Sequence, residues 1–314
     1  MTLSIATFNV NSIKARLPNL LAWLDDARPD IVLLQELKCV DEVFPLMEIE
    51  ERGYNIASHG QKTYNGVAIL SKFPLEDVVR GLPALKPSPL AGEGWVRGGD
   101  GEEYNSNAPS PSLSRKGRGT LEHVETSEQN FISAFDEMPD PQARYIEAVV
   151  SIPSGAMRVA SVYVPNGQDV ASDKFPYKLK FLERLRAHWV ERLTYHEIAV
   201  LGGDFNVAPA PLDVYDSARL DGSVCYHPAE RERLRALMHL GFYDAFRVAN
   251  PTTQQFSWWD YRGDGYNRGH GLRIDHLLLS PMAVDTLEGC IIDEIPRQQE
   301  KPSDHAPVMC TLGV

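Results

Sequence analysis

The stretch that decides how this chain folds is Ile198-Ala199-Val200-Leu201-Gly202-Gly203-Asp204-Phe205-Asn206. Its four leading apolar residues, two of them β-branched, predict a short buried strand that ends at paired glycines. Asp204 and Asn206 follow, and side chains two residues apart point the same way along an extended segment. Polar groups at the end of a buried strand are costly to desolvate unless they bind or react with something. Taken alone, an ordinary Asp/Asn turn explains this stretch equally well.

The same pattern recurs at five other places in the chain. The strand-like runs and their polar neighbours are 4–8 before Asn9 and Asn11, 31–34 before Gln35 and Glu36, 157–162 before Tyr163 and Asn166, 277–279 after Asp275 and His276, and 306–309 after Asp304 and His305. Chance explains six such junctions far less well than it explains one. The repetition therefore predicts that these polar groups collect at one rim of a sheet assembly.

Composition is that of a globular protein with a substantial core, since 43% of the 314 residues are hydrophobic and 24% are charged. The four cysteines lie far apart without a CxxC pair, which argues against a disulfide framework or a zinc site. The chain enters a strand pattern within three residues, which leaves no room for a signal peptide, and no apolar run reaches transmembrane length. We expect a soluble cytoplasmic protein that does not enter membranes.

The net charge of −12 argues superficially against a nucleic-acid partner. Residues 85–142 carry five basic and ten acidic side chains, a net −5, which leaves −7 for the rest of the chain. The remaining basic residues lie near the polar motifs: Lys14, Arg16, Lys38, Lys62, Arg262, Arg268, Arg273 and Lys301. An acidic body with a basic rim is compatible with DNA binding that is weaker and more salt-sensitive than that of a basic protein.

Residues 85–142 also form a compositional island, rich in Pro, Gly and Ser and without apolar periodicity. Such a segment cannot bury enough surface to offset its ordering entropy, so it is predicted to be a disordered insertion in a single domain that spans 1–314. Amphipathic spacing predicts helices over 17–26, 176–195 and 228–240. Because β-branched strand runs outnumber helices, we expect two packed sheets with helices outside.

The rim residues include hard oxygen ligands without a cysteine, namely Asn9, Glu36, Asp204, Asn206 and Asp304. That set suits Mg²⁺ or Mn²⁺ rather than zinc. His305 stands beside Asp304 and can donate to a phosphate oxygen, with Asp275 orienting it. The Tyr163 phenol can bond a phosphate, or act more directly if its pKa is lowered, although a strand-end aromatic with no role in function is the alternative.

An aromatic cluster at 256–262 and a nearby Gly-rich loop predict contacts to nucleic acid. Aromatic rings beside Arg262 and Arg268 suit stacking on an extrahelical sugar or base. Trp258 and Trp259 fit core positions as well as they fit ligand contacts. The loop 59–66 contains Lys62 and offers donors to a phosphate backbone, with a plain hairpin turn as the alternative.

Taken together, these motifs resemble the exonuclease III family of the endonuclease/exonuclease/phosphatase superfamily. The stretches that carry the resemblance lie, in the family's order, at 8–16, 34–38, 203–206, 256–262, 271–275 and 301–308. The resemblance covers nearly the whole chain outside the island. It implies an α/β fold, a four-layer α/β sandwich of two packed mixed β-sheets flanked by helices.

Site roles follow from the resemblance residue by residue. It implies a metal site made by Asn9, Glu36, Asp204, Asn206, Asp304 and His305. It implies that Asp204 orients or deprotonates the attacking water and that Asn206 stabilises the pentavalent transition state. Tyr163 and His305 would bind the scissile phosphate, with Asp275 supporting His305. Asn11 stands where some relatives carry an aspartate, so no metal role is assigned to it.

The function implied is that of a monomeric, Mg²⁺-dependent DNA repair nuclease, with Mn²⁺ able to substitute. It would hydrolyse the phosphodiester 5′ to abasic sites and remove nucleotides or blocking groups from 3′ ends of duplex DNA. Two other functions stay open at this point. One is a superfamily phosphoesterase that acts on small phosphoesters, and the other is a DNA-binding relative without catalysis.

Overall fold

Two six-stranded sheets account for most of the strand residues in the computed structural model, which describes residues 2–84 and 140–314. Within those residues the strands are β1 (Thr2–Asn9), β2 (Ile31–Gln35), β3 (Asn55–His59), β4 (Val67–Ser71), β5 (Leu75–Arg80), β6 (Tyr145–Ile152), β7 (Gly155–Tyr163), β8 (Ile198–Asp204), β9 (Tyr243–Asp244), β10 (Trp258–Trp259), β11 (Gly271–Leu272), β12 (Asp275–Leu279), β13 (Leu287–Ile292) and β14 (Val308–Gly313). Each run that was predicted to be a strand overlaps one, but only Val308 and Met309 of the run 306–309 lie in a strand.

Both sheets are mixed. The first has the strand order β13-β14-β1-β2-β4-β3, and the second has the order β5-β6-β7-β8-β12-β9. Parallel pairs, β1 with β2 and β7 with β8, lie at the centre of each sheet, and the other pairs are antiparallel. The short strands β10 and β11 form a separate antiparallel ribbon. Each large sheet takes strands from both sides of residues 85–139.

The sheets pack face to face through a shared apolar core. Leu3, Ile31 and Val67 from the first sheet cluster with Val159 and Leu277 from the second, all fully buried. A central strand in this packing is covered on both faces, so it needs a continuous run of apolar residues. The fold is therefore a four-layer α/β sandwich, as predicted.

Helices cover the outer faces of both sheets. They are α1 (Leu17–Ala27), α2 (Leu46–Glu50), α3 (Lys174–Arg192), α4 (Ser217–Leu220), α5 (Pro228–Met238), α6 (Ala245–Ala249) and α7 (Pro281–Val284) among the described residues. Helix α1 packs on the first sheet, and α3 and α5 pack on the second. The helix predicted over 176–195 begins two residues earlier, and its last three residues form a 3₁₀ turn instead.

The insertion predicted over 85–142 falls mainly outside the described residues. Its last residues are described, however, and they are part of the fold: Tyr177 donates to the buried carboxylate of Asp140 at 2.8 Å, and Asn65 donates to Gln142 at 3.0 Å. Polar partners therefore fix the chain from Asp140 onward, two residues before the approximate end that the sequence predicted for the insertion.

All four cysteines are buried and free. Across 2–84 and 140–314, every helix is too short or too polar to traverse a lipid bilayer.

Candidate active site

Strand direction brings the predicted rim residues to one edge of the sandwich. The parallel strands β1 and β2 end beside Asn9 and Glu36, and the parallel strands β7 and β8 end at Tyr163 and Asp204. Strands β12 and β14 run antiparallel to β8 and β1, so their first residues lie at the same edge. In the register of β8 and β12, Asp204 stands directly opposite Asp275.

Paired glycines allow β8 to approach its neighbours closely at this edge. A Cβ on Gly203 would lie 1.9 Å from the carbonyl oxygen of Val162, and one on Gly202 would lie 2.6 Å from Cδ1 of Leu33 in the facing sheet. A larger residue at Gly203 would require the backbone to move, and one at Gly202 would require the Leu33 and Leu277 side chains to shift. Glycine at both positions is thus what places Asp204 at the end of a fully packed strand.

Glu36, Asp204 and His305 form a cluster that can hold a cation. One ligand atom from each lies within 4.8 Å of the others. Asn9 is fully buried between the two acids, and its amide nitrogen donates to Glu36 Oε1 and to Asp204 Oδ2, both at 2.9 Å. Two carboxylates so close together repel each other unless a cation or a donor lies between them. Asn9 therefore acts as the donor that holds the acidic pair in place.

The pKa values of Asp204 and Glu36 are shifted in opposite directions. Burial raises the pKa of Asp204, and the Asp275 and Glu36 carboxylates add to this effect, while the His305 imidazolium opposes it. Burial also acts to raise the pKa of Glu36, but Lys38, whose Nζ lies 2.8 Å from Glu36 Oε2, and the Asn9 amide hold that pKa below its ordinary value. The site thus contains one firmly ionised carboxylate and one that is ready to accept a proton.

A chain of buried hydrogen bonds orients His305. Its Nδ1 lies 2.8 Å from Asp275 Oδ2, and the Ser257 hydroxyl donates to that same oxygen at 2.7 Å. Nε2 of His305 is thereby directed toward Asp204, whose Oδ2 is 3.8 Å away. Burial alone would lower the pKa of His305, but the Asp275 and Asp204 carboxylates raise that pKa to about 10. The imidazole is therefore a charged donor at neutral pH.

Tyr163 lies at the end of β7, near both Glu36 and Asp204. Burial raises the pKa of its phenol well above the ordinary value, and Glu36 and Asp204 add to the effect. The Arg144 guanidinium covers its ring at 4.8 Å. A direct role for an ionised Tyr163 requires a lowered pKa, and the pKa is raised instead, because burial and both nearby acids disfavour the phenolate. The hydroxyl is available only as a protonated donor.

Asn206 departs from the geometry that the sequence suggested. Strand β8 ends at Asp204, and Asn206 has φ 51°, so the alternation that was to align the two side chains does not continue to it. Its backbone N–H donates to Asp204 Oδ1 at 2.9 Å. Its side-chain amide donates to the Val164 carbonyl at 3.0 Å and accepts from Asn166 Nδ2 at 2.8 Å. Asn206 therefore contacts Asp204 through its main chain rather than through its side chain.

Asp304 also lies beside the cluster rather than in it. Asn11 donates to its Oδ1 at 2.8 Å, and the indole N–H of Trp258 donates to its Oδ2 at 3.0 Å. Lys38 in turn donates to Asn11 Oδ1 at 2.5 Å. Asp304 therefore connects to Glu36 through a polar chain, with both its oxygens engaged.

The five residues predicted to contact DNA have different environments. Lys62, Arg262 and Arg268 are exposed. Trp258 is half-buried, with its indole directed at Asp304 as described above. Trp259 is 3% exposed and packs edge-on against Tyr266 at 5.0 Å, so it is a core residue and offers no face to a ligand. Because neighbouring residues in a strand face opposite ways, only one tryptophan of the pair reaches the site.

Arg273 does not belong to the basic rim, contrary to its place near the motifs in sequence. It is 1% exposed, and its guanidinium pairs with Asp213 and Asp244, both at 2.7 Å. Sequence reasoning also assigned no role to Ser257, which fixes Asp275 from within the predicted aromatic cluster. A small polar residue in an otherwise aromatic run was the available signal.

Comparison with known proteins assigns this arrangement to a family. Residues 6–305 match the model of the Endonuclease/Exonuclease/phosphatase family. The chain is 31% identical over 310 residues to exodeoxyribonuclease III of Haemophilus influenzae. The aligned region covers 96% of this chain and 97% of that protein.

Two solved structures are similar over nearly their whole length. The 3′ phosphatase NExo from Neisseria, bound to a product DNA hairpin, has a TM-score of 0.78 and 34% identity, covering 99% of this chain and 100% of that one. An AP endonuclease from Archaeoglobus fulgidus has a TM-score of 0.77 and 32% identity, again covering 99% and 100%.

Proposed function

Because the chain belongs to the exodeoxyribonuclease III group of the Endonuclease/Exonuclease/phosphatase family, we propose that it is a DNA repair nuclease that hydrolyses phosphodiesters at abasic sites and at 3′ ends of duplex DNA. The observation that carries this proposal is the convergence of Asn9, Glu36, Asp204, Asp275 and His305 at one edge of the sandwich. These five residues come from the ends of five different strands, so the composition of that edge is not the by-product of one motif.

The donor set fits a divalent cation of the hard type. Glu36 and Asp204 offer carboxylate oxygens in a cluster without sulfur, which suits Mg²⁺, with Mn²⁺ as a substitute. Glu36 and Asp204 would hold the ion, with Asn9 and Asp304 setting the positions of the acidic groups around it. When bound, such an ion polarises a phosphoryl oxygen and stabilises developing negative charge.

The protein's own groups divide the remaining chemistry. Asp204 accepts the proton of the attacking water, a role for which a carboxyl with a raised pKa is suited. His305 donates from Nε2 to a non-bridging phosphate oxygen, because Asp275 holds its other nitrogen and keeps it charged. Tyr163 donates from its protonated phenol to the same phosphate. Asn206, with one amide hydrogen committed to Val164, has a second to offer the transition state.

Exposed cations and Trp258 would form the DNA-facing surface around this site. Lys62, Arg262 and Arg268 suit contacts to backbone phosphates, and the exposed Arg262 side chain is 92% accessible. Trp258 would contact the sugar or base next to the scissile bond, since its indole nitrogen bonds Asp304 beside the acidic cluster. We further propose that the protein acts as a monomer in the cytoplasm.

An end-labelled duplex with one tetrahydrofuran abasic analogue tests the proposal. The protein is incubated with it in Mg²⁺ or in EDTA, and the products are resolved by length. A single Mg²⁺-dependent cut 5′ to the analogue supports the abasic-site activity, and a ladder from the 3′ end supports the exonuclease. Absence of cutting by folded protein, with both Mg²⁺ and Mn²⁺ tried, would contradict the proposal and direct attention to small phosphoesters.

A further inference from the structure

A fully buried ion pair lies directly behind Asn206. Lys178 of α3 and Glu230 of α5 are both 0% exposed, and Lys178 Nζ lies 2.5 Å from Glu230 Oε1. Most of the other residues that these two helices bury are apolar and pack on the second sheet. Two opposite charges in such a layer are expensive to desolvate, so their presence calls for a reason.

The ammonium group of Lys178 joins two loops that flank the candidate active site. It donates to the main-chain carbonyl of Asn206 at 2.7 Å and to that of Asn166 at 3.0 Å. These loops leave the ends of the parallel strands β7 and β8. One side chain thus fixes the spacing between the two strand ends just beyond Tyr163 and Asp204.

The carboxylate of Glu230 joins the same assembly to a third segment. It accepts from the backbone N–H groups of Cys225 at 3.3 Å and His227 at 3.0 Å. The bond to His227 is part of the capping box that starts α5. Through Glu230, the start of a helix is therefore coupled to the loop that bears Asn206.

Asn206 needs such support because of its backbone. It is a non-glycine residue with φ 51°, a conformation that costs energy unless the surroundings impose it. Its side-chain amide is oriented by Asn166, which donates to Asn206 Oδ1 at 2.8 Å. Lys178 bonds the carbonyls of both residues in that amide pair, so it sets the distance between them.

We infer that the Lys178–Glu230 pair is a positioning device that holds Asn206 in its active orientation rather than a source of stability. A buried ion pair contributes little net stability, and its replacement by neutral residues of similar volume is often neutral. The two main-chain carbonyls, in contrast, lose their donor when the ammonium is removed. Neither residue contacts the substrate in this scheme, and the inference rests on the proposed nuclease function for its kinetic effect.

Three variants separate positioning from stability: Lys178→Met, Glu230→Gln and the double variant. Each single change leaves one buried charge without its partner, so both singles should be clearly less stable than wild type. The double variant should recover most of that stability. Its kcat on the abasic duplex should nevertheless stay about 10- to 100-fold below wild type with KM little changed, because a small displacement of a transition-state donor costs that much.

Glu147→Gln serves as a matched control, because Glu147 is also 0% exposed and pairs with Arg158 and Arg192 away from the rim. It should lower stability and leave kcat unchanged. Recovery of kcat together with stability in the Lys178/Glu230 double variant would overturn the inference.

Backbone amide exchange across 164–167 and 205–207 gives a readout that does not depend on activity. Faster exchange in the double variant than in wild type supports positioning, and unchanged exchange contradicts it. Should wild type fail to cut abasic DNA, the nuclease proposal fails while the exchange comparison still decides the role of the pair.

Discussion

Replacement of Asp275 by Asn should make the phosphate contact proposed for His305 dependent on pH. The amide keeps nearly the shape of the carboxylate and can still accept from Ser257 and from His305 Nδ1. It removes the charge that contributes most to the raised pKa of His305, against the opposing effect of burial. The change therefore affects the protonation of His305 more than its position.

The size of the effect follows from the pKa values. In wild type the pKa of His305 is raised from 6.5 to about 10, so the donor stays charged through the neutral range. If the pKa returns to its ordinary value, only about one molecule in a hundred is protonated two pH units above it. The ratio of variant to wild-type kcat/KM should thus fall about tenfold for each pH unit above 6.5.

The loss of stability in Asp275→Asn should depend on pH in the opposite way to the loss of activity. A raised His pKa stabilises the fold fully below 6.5, and this contribution disappears as pH rises toward 10. The total is roughly 5 kcal/mol for a fully buried group, with Asp275 supplying the largest favourable share. The variant's deficit in free energy of unfolding, measured by denaturant titration of metal-free protein, should be largest at low pH and shrink as pH increases.

Single-turnover cleavage of the abasic duplex from pH about 6 to 9 provides the assay. Ser257→Ala is the matched control, because it removes a neutral bond to Asp275 without changing charge, and its rate relative to wild type should not vary with pH. A ratio for Asp275→Asn that is flat across this range would show that the Asp275 charge does not control His305.

Three further changes have separate expected outcomes. Glu147→Gln should lower the free energy of unfolding by roughly 3 kcal/mol at neutral pH, because His188, Tyr145 and Arg192 hold the pKa of Glu147 at about 2 despite burial. This loss should vanish as pH falls from 4.5 toward 2, and an equal loss at low pH would contradict the prediction. Asn9→Ala should weaken Mn²⁺ binding about 10- to 100-fold in a calorimetric titration, because it removes the amide that holds Glu36 and Asp204 together. An unchanged affinity would show that Asn9 does not hold the two acids in place for the ion. Replacement of Lys62, Arg262 or Arg268 by alanine should raise KM and leave kcat unchanged. Each replacement should also reduce the slope of log DNA affinity against log salt concentration by about 1, and an unchanged slope would exclude a phosphate contact by that residue.

The sequence was sufficient to predict the architecture and the edge of the site, because both depend on local patterns. Apolar runs define strands, and polar residues at their ends must meet when parallel strands share a sheet. The same alternation rule distinguishes Trp258 from Trp259 once the strand is known, although it does not say which of them faces the core.

What could not be predicted depends on contacts distant in sequence. Lys178 looks like a solvated charge on an amphipathic helix, and only the tertiary structure gives it Glu230 and two loop carbonyls as partners. Arg273 was misplaced for the same reason, since Asp213 and Asp244 lie far from it in the chain. The positive φ of Asn206 has no local signal, because an asparagine after a strand fits several turn geometries.

The most direct test of the assigned site compares wild type with Asp204→Ala on the abasic duplex under single-turnover conditions in Mg²⁺, with DNA binding and thermal unfolding measured on the same samples. Asp204 lies in the cation cluster and is the group proposed to take the proton of the attacking water. The cleavage rate should fall about 10²- to 10⁴-fold, while DNA affinity and the unfolding temperature change little. A variant that is folded, binds the duplex and cuts it at a near-normal rate would contradict the assignment of this rim as the active site.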